Sequence, residues 1–244
     1  MIKIKQNNNI KIEKIQYIEF LRSEFYIGCK KSRWNPLLIG FIYKLRKKIY
    51  ILNLEYTVFQ LRRSLNMIKN IIRNRGQILM VMIKKKISNL VKTLLKKSKQ
   101  GYVDYKYYNG SLIHFKESKK LLYQKSTGNI EVDLKEKTFI KMLGYKNLQK
   151  KPSAVIITQT NKSDWLIREC NRLKIPTICF IDSNTMSLLY TYSIVGNSNT
   201  NKHLNLILLF IYHAIFQGIR LDTKIFNNNY IVTKKIKSKL KKIK

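Results

Sequence analysis

An α/β fold, a parallel sheet flanked by helices, is predicted by three features of this 244-residue sequence. Ala154 to Thr158 (AVIIT) and Thr177 to Ile181 (TICFI) are short, Ile- and Val-rich runs ending in polar residues, as strands buried on both faces do. The interval between them has the length of a helix. Leu166, Cys170 and Leu173 fall there at i, i+4 and i+7, and Pro176 stops the pattern. A further run, ILMVM within Gln77 to Ile83, is followed by another helical stretch, so strand and helix alternate as in right-handed βαβ units.

Taken in order, residues 1–24 are polar and basic with a weak helical pattern from Ile12 to Leu21, and read as an arm that orders on its partner. Gly28 to Arg33 reads as a loop presenting Lys30, Lys31 and Arg33, anchored by Trp34 and Pro36; Arg46, Lys47 and Lys48 form the next basic run. Ile49 to Leu54 is a short strand, and Asn53 is placed to cap the helix after it. Val58, Leu61, Leu65, Ile68 and Ile72 make one core-facing stripe, leaving Arg62, Arg63, Lys69 and Arg73 outside. Gly76 is expected to end that helix in a left-handed conformation. Lys84, Lys85 and Lys86 stand at the carboxyl end of the next strand, where open α/β sheets bind ligands. A helix from Ile87 to Lys99 and a strand near Tyr102 to Tyr105 follow, with Tyr102, Tyr105, Tyr107 and Tyr108 packing at a strand edge or stacking on unpaired bases. Phe115 to Leu143 is charged, with Thr127, Gly128 and Asn129 as its turn. Asn161, with Asp164 three residues on, is placed to cap the helix between the two strands first described. His203 to Gln217 reads as the last core helix, ended by Gly218, and residues 223–244 as a basic tail closing in IKSKLKKIK.

The net charge is +36, from 49 basic against 13 acidic residues, and such a field demands a polyanionic partner. Nucleic acid comes first and an anionic membrane second. His203 to Ile219 is interrupted by Asn205, His213 and Gln217 and falls short of the ~20 apolar residues that span a bilayer, so no membrane insertion is expected. No homo-oligomer is expected either. Cys29, Cys170 and Cys179 are scattered and odd in number, without zinc or disulfide spacing, and fit a reducing interior. The opening residues resemble neither a secretory signal nor a transit peptide. Neither a G-x-G-x-x-G nor a P-loop pattern occurs, so no cofactor and no metal is expected.

Catalysis has few candidates. His114, His203 and His213 lie in unrelated segments. Asp182, at the carboxyl end of a strand, stands where α/β enzymes keep acids, but it has no second carboxylate at a set spacing, and an Asp there also serves to hydrogen-bond its own loop. An α/β enzyme acting on nucleic acid or nucleotides is the alternative that these residues leave open.

Several blocks carry a family resemblance. IPTICFIDSN at 175–184, followed by IVGN at 194–197 and a long apolar helix, resembles the C-terminal signature of the family of the second protein of the small ribosomal subunit. The family's pattern there is Ile-Pro, a strand, Asp-Thr-Asn and Ile-Pro-Gly-Asn, with Ser183 and Val195 as the departures. Residues 27–66 resemble its Gly-His, basic loop, Arg-Trp-Asn-Pro and Ile-Ile-Asp-Leu-x-x-Thr segments in order, and NGSLIHF at 109–115 stands where it has Gly-Gly-x-Leu-Thr-Asn-Phe. MIKKK replaces its Gly-Thr-Lys. The matches run from about Phe25 to Arg220.

The resemblance implies a flavodoxin-like parallel sheet in one domain over 25–222. It also implies a shortened helical hairpin insertion at about 115–143, where bacterial relatives carry a longer one, and basic terminal arms. The function implied is a structural constituent of the small subunit, without catalysis. Its partners would be small-subunit ribosomal RNA and other small-subunit proteins, with Lys30, Lys31, Arg33, Arg46, Lys47, Lys48, Arg62, Arg63, Lys84, Lys85 and Lys86 as the RNA-binding cations. Abundant Lys, Ile, Asn and Tyr point to an AT-rich coding sequence. Together with the missing import signal, this predicts an organelle-encoded protein of the mitochondrial matrix, an AT-rich bacterium being the other source.

Overall fold

The computed structural model describes residues 17–82, 92–104, 107–126, 143–160, 163–185, 189–197, 200 and 203–222. Strands β1 (Ile27–Lys30), β2 (Ile42–Arg46) and β3 (Ile49–Leu52) form an antiparallel sheet in the order β1-β3-β2. Strands β4 (Ile78–Met82), β5 (Gly101–Asp104), β6 (Ala154–Ile157), β7 (Thr177–Ile181) and β8 (Tyr192–Val195) form a parallel sheet in the order β5-β4-β6-β7-β8. Counted within the parallel sheet this is 2-1-3-4-5, the flavodoxin-like order that the sequence predicts.

The described helices are α1 (residues 17–22), α2 (Leu54–Arg73), α3 (residues 92–97), α4 (Phe115–Ser126), α5 (Asp164–Arg172) and α6 (His203–Asp222). Alternate residues of β4 divide the core. Ile78, Met80 and Met82 pack with α2 and α6, while Leu79 and Val81 pack with the side of α4 and α5. The expected stripe of α2, Val58 to Ile72, is buried throughout. Each such side chain contributes roughly 1.5–3 kcal/mol, so tertiary burial rather than local propensity holds this helix. Asn53 caps it as expected, its Oδ1 accepting from the Glu55 amide at 3.0 Å.

Some elements differ from the sequence reading. Gly28 to Arg33 is not a loop: β1 and a 3-10 turn, Lys31–Arg33, occupy it, held by pairing of Ile27 with Ile51 and Lys30 with Ile49. The left-handed residue ending α2 is Arg75 (φ 58°), while Gly76 donates to the Ile71 carbonyl at 2.8 Å. Gly218 does not stop α6, which continues to Asp222. A Cβ on Gly218 would lie 2.8 Å from Cβ of Ile72, so this glycine lets α6 approach α2 closely. At 20 residues α6 is also longer than the sequence suggests, and by length and composition alone it could cross a membrane; Leu204, Ile207, Leu208, Ile211, Ala214 and Ile215 bury one face of it in the core. Helix α5 has Ser163 as its N-cap, without a side-chain capping bond, and the expected cap Asn161 lies outside the described residues. The turn expected at Thr127 to Asn129 also lies outside them. Phe20 and Phe25, in and just after the stretch read as an arm, are fully buried with ring centroids 4.9 Å apart.

Candidate nucleic-acid interface

The small antiparallel sheet gathers cations that are separated in sequence. Lys30 ends β1 opposite Ile49, and the Lys31 amide donates to the Lys48 carbonyl at 3.0 Å. The hairpin from β2 to β3 turns on Lys47 and Lys48, since Arg46 pairs directly with Ile49. Lys30 and Lys31 therefore lie beside Lys47 and Lys48, with Arg46 at the base of the hairpin and Arg33 in the turn after β1. All six are exposed, and none forms an ion pair among the described residues. Like charges about 8 Å apart repel by roughly 0.5 kcal/mol per pair in water, a cost that bound phosphates convert into attraction.

The two central turn residues carry strain. Lys47 and Lys48 have φ of 47° and 62°, the left-handed region that such a turn demands and that Asn-Gly ordinarily supplies. Left-handed backbone costs a non-glycine residue roughly 1 kcal/mol.

The platform under these charges is pinned to the carboxyl end of β7. The Cys29 amide donates to Ser183 Oγ at 2.6 Å, and Ser183 Oγ donates to Asp182 Oδ1 at 3.2 Å. The Asn35 amide donates to the Ser183 carbonyl at 2.9 Å, and Asn35 Nδ2 to the Thr185 carbonyl at 2.7 Å. Trp34 lies on Tyr50 with centroids 4.8 Å apart. Asp182 Oδ1 also accepts from the Ser183 amide at 2.7 Å, and Thr185 Oγ1 accepts from the Asp182 amide at 3.1 Å. Asp182 thus organises its own loop, and through Ser183 it steadies the basic strand.

At the neighbouring strand, Phe25 crosses Gly196 so closely that a Cβ there would meet its ring at 1.7 Å, and the Asn197 amide donates to the Phe25 carbonyl at 3.1 Å.

The remaining predicted cations are placed elsewhere. Arg63 is exposed, its guanidinium 5.7 Å from the ring centroid of Tyr192. Arg62 is half-buried on the same helix, and burial lowers its pKa from the ordinary value. Strand β3 and the first two turns of α2 separate this pair from the hairpin cluster. Lys84, Lys85 and Lys86 lie outside the described residues.

The histidines do not converge. His203 is buried, with Nδ1 3.1 Å from the Asn197 carbonyl and Nε2 against the Ser23 carbonyl; exposed His114 meets Glu117 at 3.0 Å; His213 is exposed on α6. Burial pushes the thiol of Cys170 up to about 12 and that of Cys179 up as well, leaving both poor nucleophiles. Among the described residues no three His, Cys, Asp or Glu side chains form a metal-binding group.

Two buried carboxylates escape sequence reasoning. Glu169 of α5 accepts from the amides of Gly110 (3.1 Å), Leu112 (2.9 Å) and Ile113 (2.9 Å), capping the turn that opens α4. Asp104 ends β5 and pairs with Lys92 of α3. A long-range partner decides each role, and nothing local in the sequence marks it. Of the tyrosines, Tyr102 and Tyr107 are buried, Tyr108 is exposed and Tyr105 lies outside the described residues.

A doubly wound sheet whose strand-end acids are held by their own loop or by a lysine, beside a pinned cluster of exposed cations, defines an α/β scaffold protein with a basic surface. The family model described as Ribosomal protein S2 matches residues 20–218, and the chain belongs to that family. Its members are structural proteins of the ribosome rather than enzymes, and so is this chain. It is 28% identical over 229 residues to the small ribosomal subunit protein uS2m of Dictyostelium discoideum, covering 93% of this chain and 94% of that protein. It is 27% identical to uS2 of Rickettsia canadensis (88% of this chain, 79% of that protein) and 28% identical to uS2 of Ehrlichia ruminantium (81% and 74%).

Proposed function

We propose that this chain, a structural constituent of the small ribosomal subunit, seats itself on the subunit's RNA through Lys30, Lys31, Arg33, Arg46, Lys47 and Lys48, with Arg62 and Arg63 as a second contact and Lys84, Lys85 and Lys86 as a third. The observation that supports the reading best is the convergence of the first six on a platform hydrogen-bonded to Ser183 and Thr185. Each cation that neutralises a phosphate releases condensed counterions, and the rigid sheet fixes where those charges stand. Other small-subunit proteins are its protein neighbours.

The uS2m relative supports a mitochondrial ribosome, and the Lys-, Ile- and Asn-rich composition favours synthesis inside the organelle. Residues 25–222 act as one domain with a reduced helical insertion, joined by α1, whose Phe20 packs in the core of that domain within the stretch 1–24 expected to be an arm, and 223–244 serve as a basic tail. Helix α6 serves as a core helix and not as a membrane span. A charge of +36 opposes self-association.

The test is assembly. Replacing Lys30, Lys31 and Arg33 together by Ala should leave the protein folded, lower its share in small-subunit particles at moderate salt, and reduce the slope of log affinity against log salt by about 2–3. Unchanged incorporation and an unchanged slope would remove the cluster from the interface.

A further inference from the structure

Strand β2 is an edge. It pairs with β3 on one side, and among the described residues Lys44 to Arg46 make no backbone hydrogen bond beyond that ladder. Half of its N–H and C=O groups therefore face outward. The surface in and before β2 is unusually apolar: Leu37 and Ile39, in the 3-10 turn Pro36–Phe41 that leads into it, and Tyr43 and Leu45 on the strand expose 65, 68, 69 and 44% of their area. A groove of about 300 Å³ opens beside it, walled by Tyr17, Leu21, Tyr26, Tyr43 and Ile51.

The side chains along the edge alternate. Lys44 pairs across to Ile51 and Arg46 to Ile49, on the face where Ile51 walls the groove, while Leu45 pairs to Tyr50 on the opposite face. A strand laid against β2 thus meets cation, apolar, cation in succession.

We infer that the outer edge of β2 is a docking site for an extended segment of a neighbouring protein, added as a further strand. Its carboxylates face Lys44 and Arg46 on the side of the groove, and its apolar residues meet Leu45 on the opposite face. A bulge and edge cations also serve to keep strands from pairing, and β2 has both, its register shifting between Ile42 and Lys44. Here they reject a second copy of this chain, whose own edge is equally basic, and admit an acidic strand. RNA offers no backbone ladder to satisfy this edge and no aliphatic partner for Leu45. The inference rests on the ribosomal reading only for the existence of protein neighbours.

Hydrogen exchange on the full-length protein tests it, with a capped peptide of alternating Glu and Val at millimolar concentration as probe. The peptide should slow exchange of outward amides within Ile42–Arg46 by at least about tenfold, and the same composition interrupted by Pro should not. Replacing Lys44→Glu, which leaves the six hairpin cations in place, should weaken the protection given by the Glu-Val peptide and favour a Lys-Val peptide instead. Three results would overturn the inference: no protection of β2, equal protection by the Pro-interrupted peptide, or protection by oligouridylate in its place. Protection that grows with protein concentration and no peptide would make the occupant a second copy and overturn it as well. Salt-dependent RNA binding, measured on the same samples, reports on the hairpin cluster separately, so either reading can fail alone.

Discussion

The backbone amide of Cys29 and the side-chain oxygen of Ser183 meet at 2.6 Å, though 154 residues of chain separate them. This bond joins the edge of the antiparallel sheet to the end of the parallel one. Ser183 cannot be much larger: a Cβ on Gly28 would already lie 2.8 Å from its Oγ.

Replacing Ser183→Ala leaves the Cys29 amide without its acceptor and Asp182 without one donor. Loss of about 1–2 kcal/mol is expected, read from urea unfolding. Because β1 carries Lys30 and leads into Lys31 and Arg33, faster exchange at the Cys29 and Lys31 amides and weaker RNA binding should accompany it. Normal affinity together with lowered stability would show that β1 needs no fixed position to work.

Glu169 supports a different corner. Its two oxygens serve three amides, so the Glu169→Gln change must turn an NH2 group toward at least one N–H donor. A cost of about 2–3 kcal/mol is expected, or on the order of 5–10 °C in Tm. A Tm within about 1 °C of the parent would mean that the turn before α4 is held by other bonds, such as that from the Leu112 amide to the Tyr107 hydroxyl at 3.1 Å.

Alkaline stability follows from the buried thiols and phenols. Burial raises the pKa of Cys170 from 9.0 to about 12, and the values of Cys179, Tyr107 and Tyr145 rise for the same leading reason. Between these limits the unfolded chain has released protons that the folded chain retains, so unfolding is favoured as pH rises. The contribution of Cys170 is complete below pH 9 and is lost on going from 9 to about 12. Its share of the slope approaches about 1.4 kcal/mol per pH unit. Urea midpoints taken upward from pH 8 should fall, and they should fall less steeply in Cys170→Ala whatever that change does to the baseline. Parallel slopes would show that this thiol ionises in the folded state.

What the sequence disclosed and what it concealed divide on physical lines. β4, β6 and β7 are legible because both faces are buried and the apolar run is continuous, and α2 because a stripe at helical spacing has one interpretation. β1 and β2 are not, since IGCK and IYKLR lack a clean alternation and exist as strands through their pairing with β3. The six cations of the hairpin cluster are visible individually, but their adjacency depends on Lys30 standing opposite Ile49. Helix ends are hidden for a compositional reason: glycine is scarce, at 9 of 244 residues, so the usual terminator is missing where the backbone turns left-handed.

Those left-handed sites supply the last prediction. Glu24, Arg75, Lys99 and Lys174 each follow a helix at φ between 55° and 59°, and the next residue donates back five positions, as Ile175 does to the Cys170 carbonyl at 2.9 Å. Lys47 and Lys48 share the backbone region but not the setting, for they sit at the tip of a hairpin among four other cations. If strain at all these places merely reflects a shortage of glycine, relieving it should be harmless everywhere. If the hairpin holds lysine for its charge, relief there must carry a loss. Lys174→Gly should gain about 0.5–1 kcal/mol with the salt slope of RNA binding unchanged, since relief of the left-handed strain exceeds the added entropy of the unfolded chain. Lys47→Asn with Lys48→Gly should gain about 1–2 kcal/mol while the slope falls by about 1.4–1.8, the loss of two phosphate contacts. A turn variant that gains stability and keeps its slope would place Lys47 and Lys48 with Lys174, as residues of composition rather than of binding.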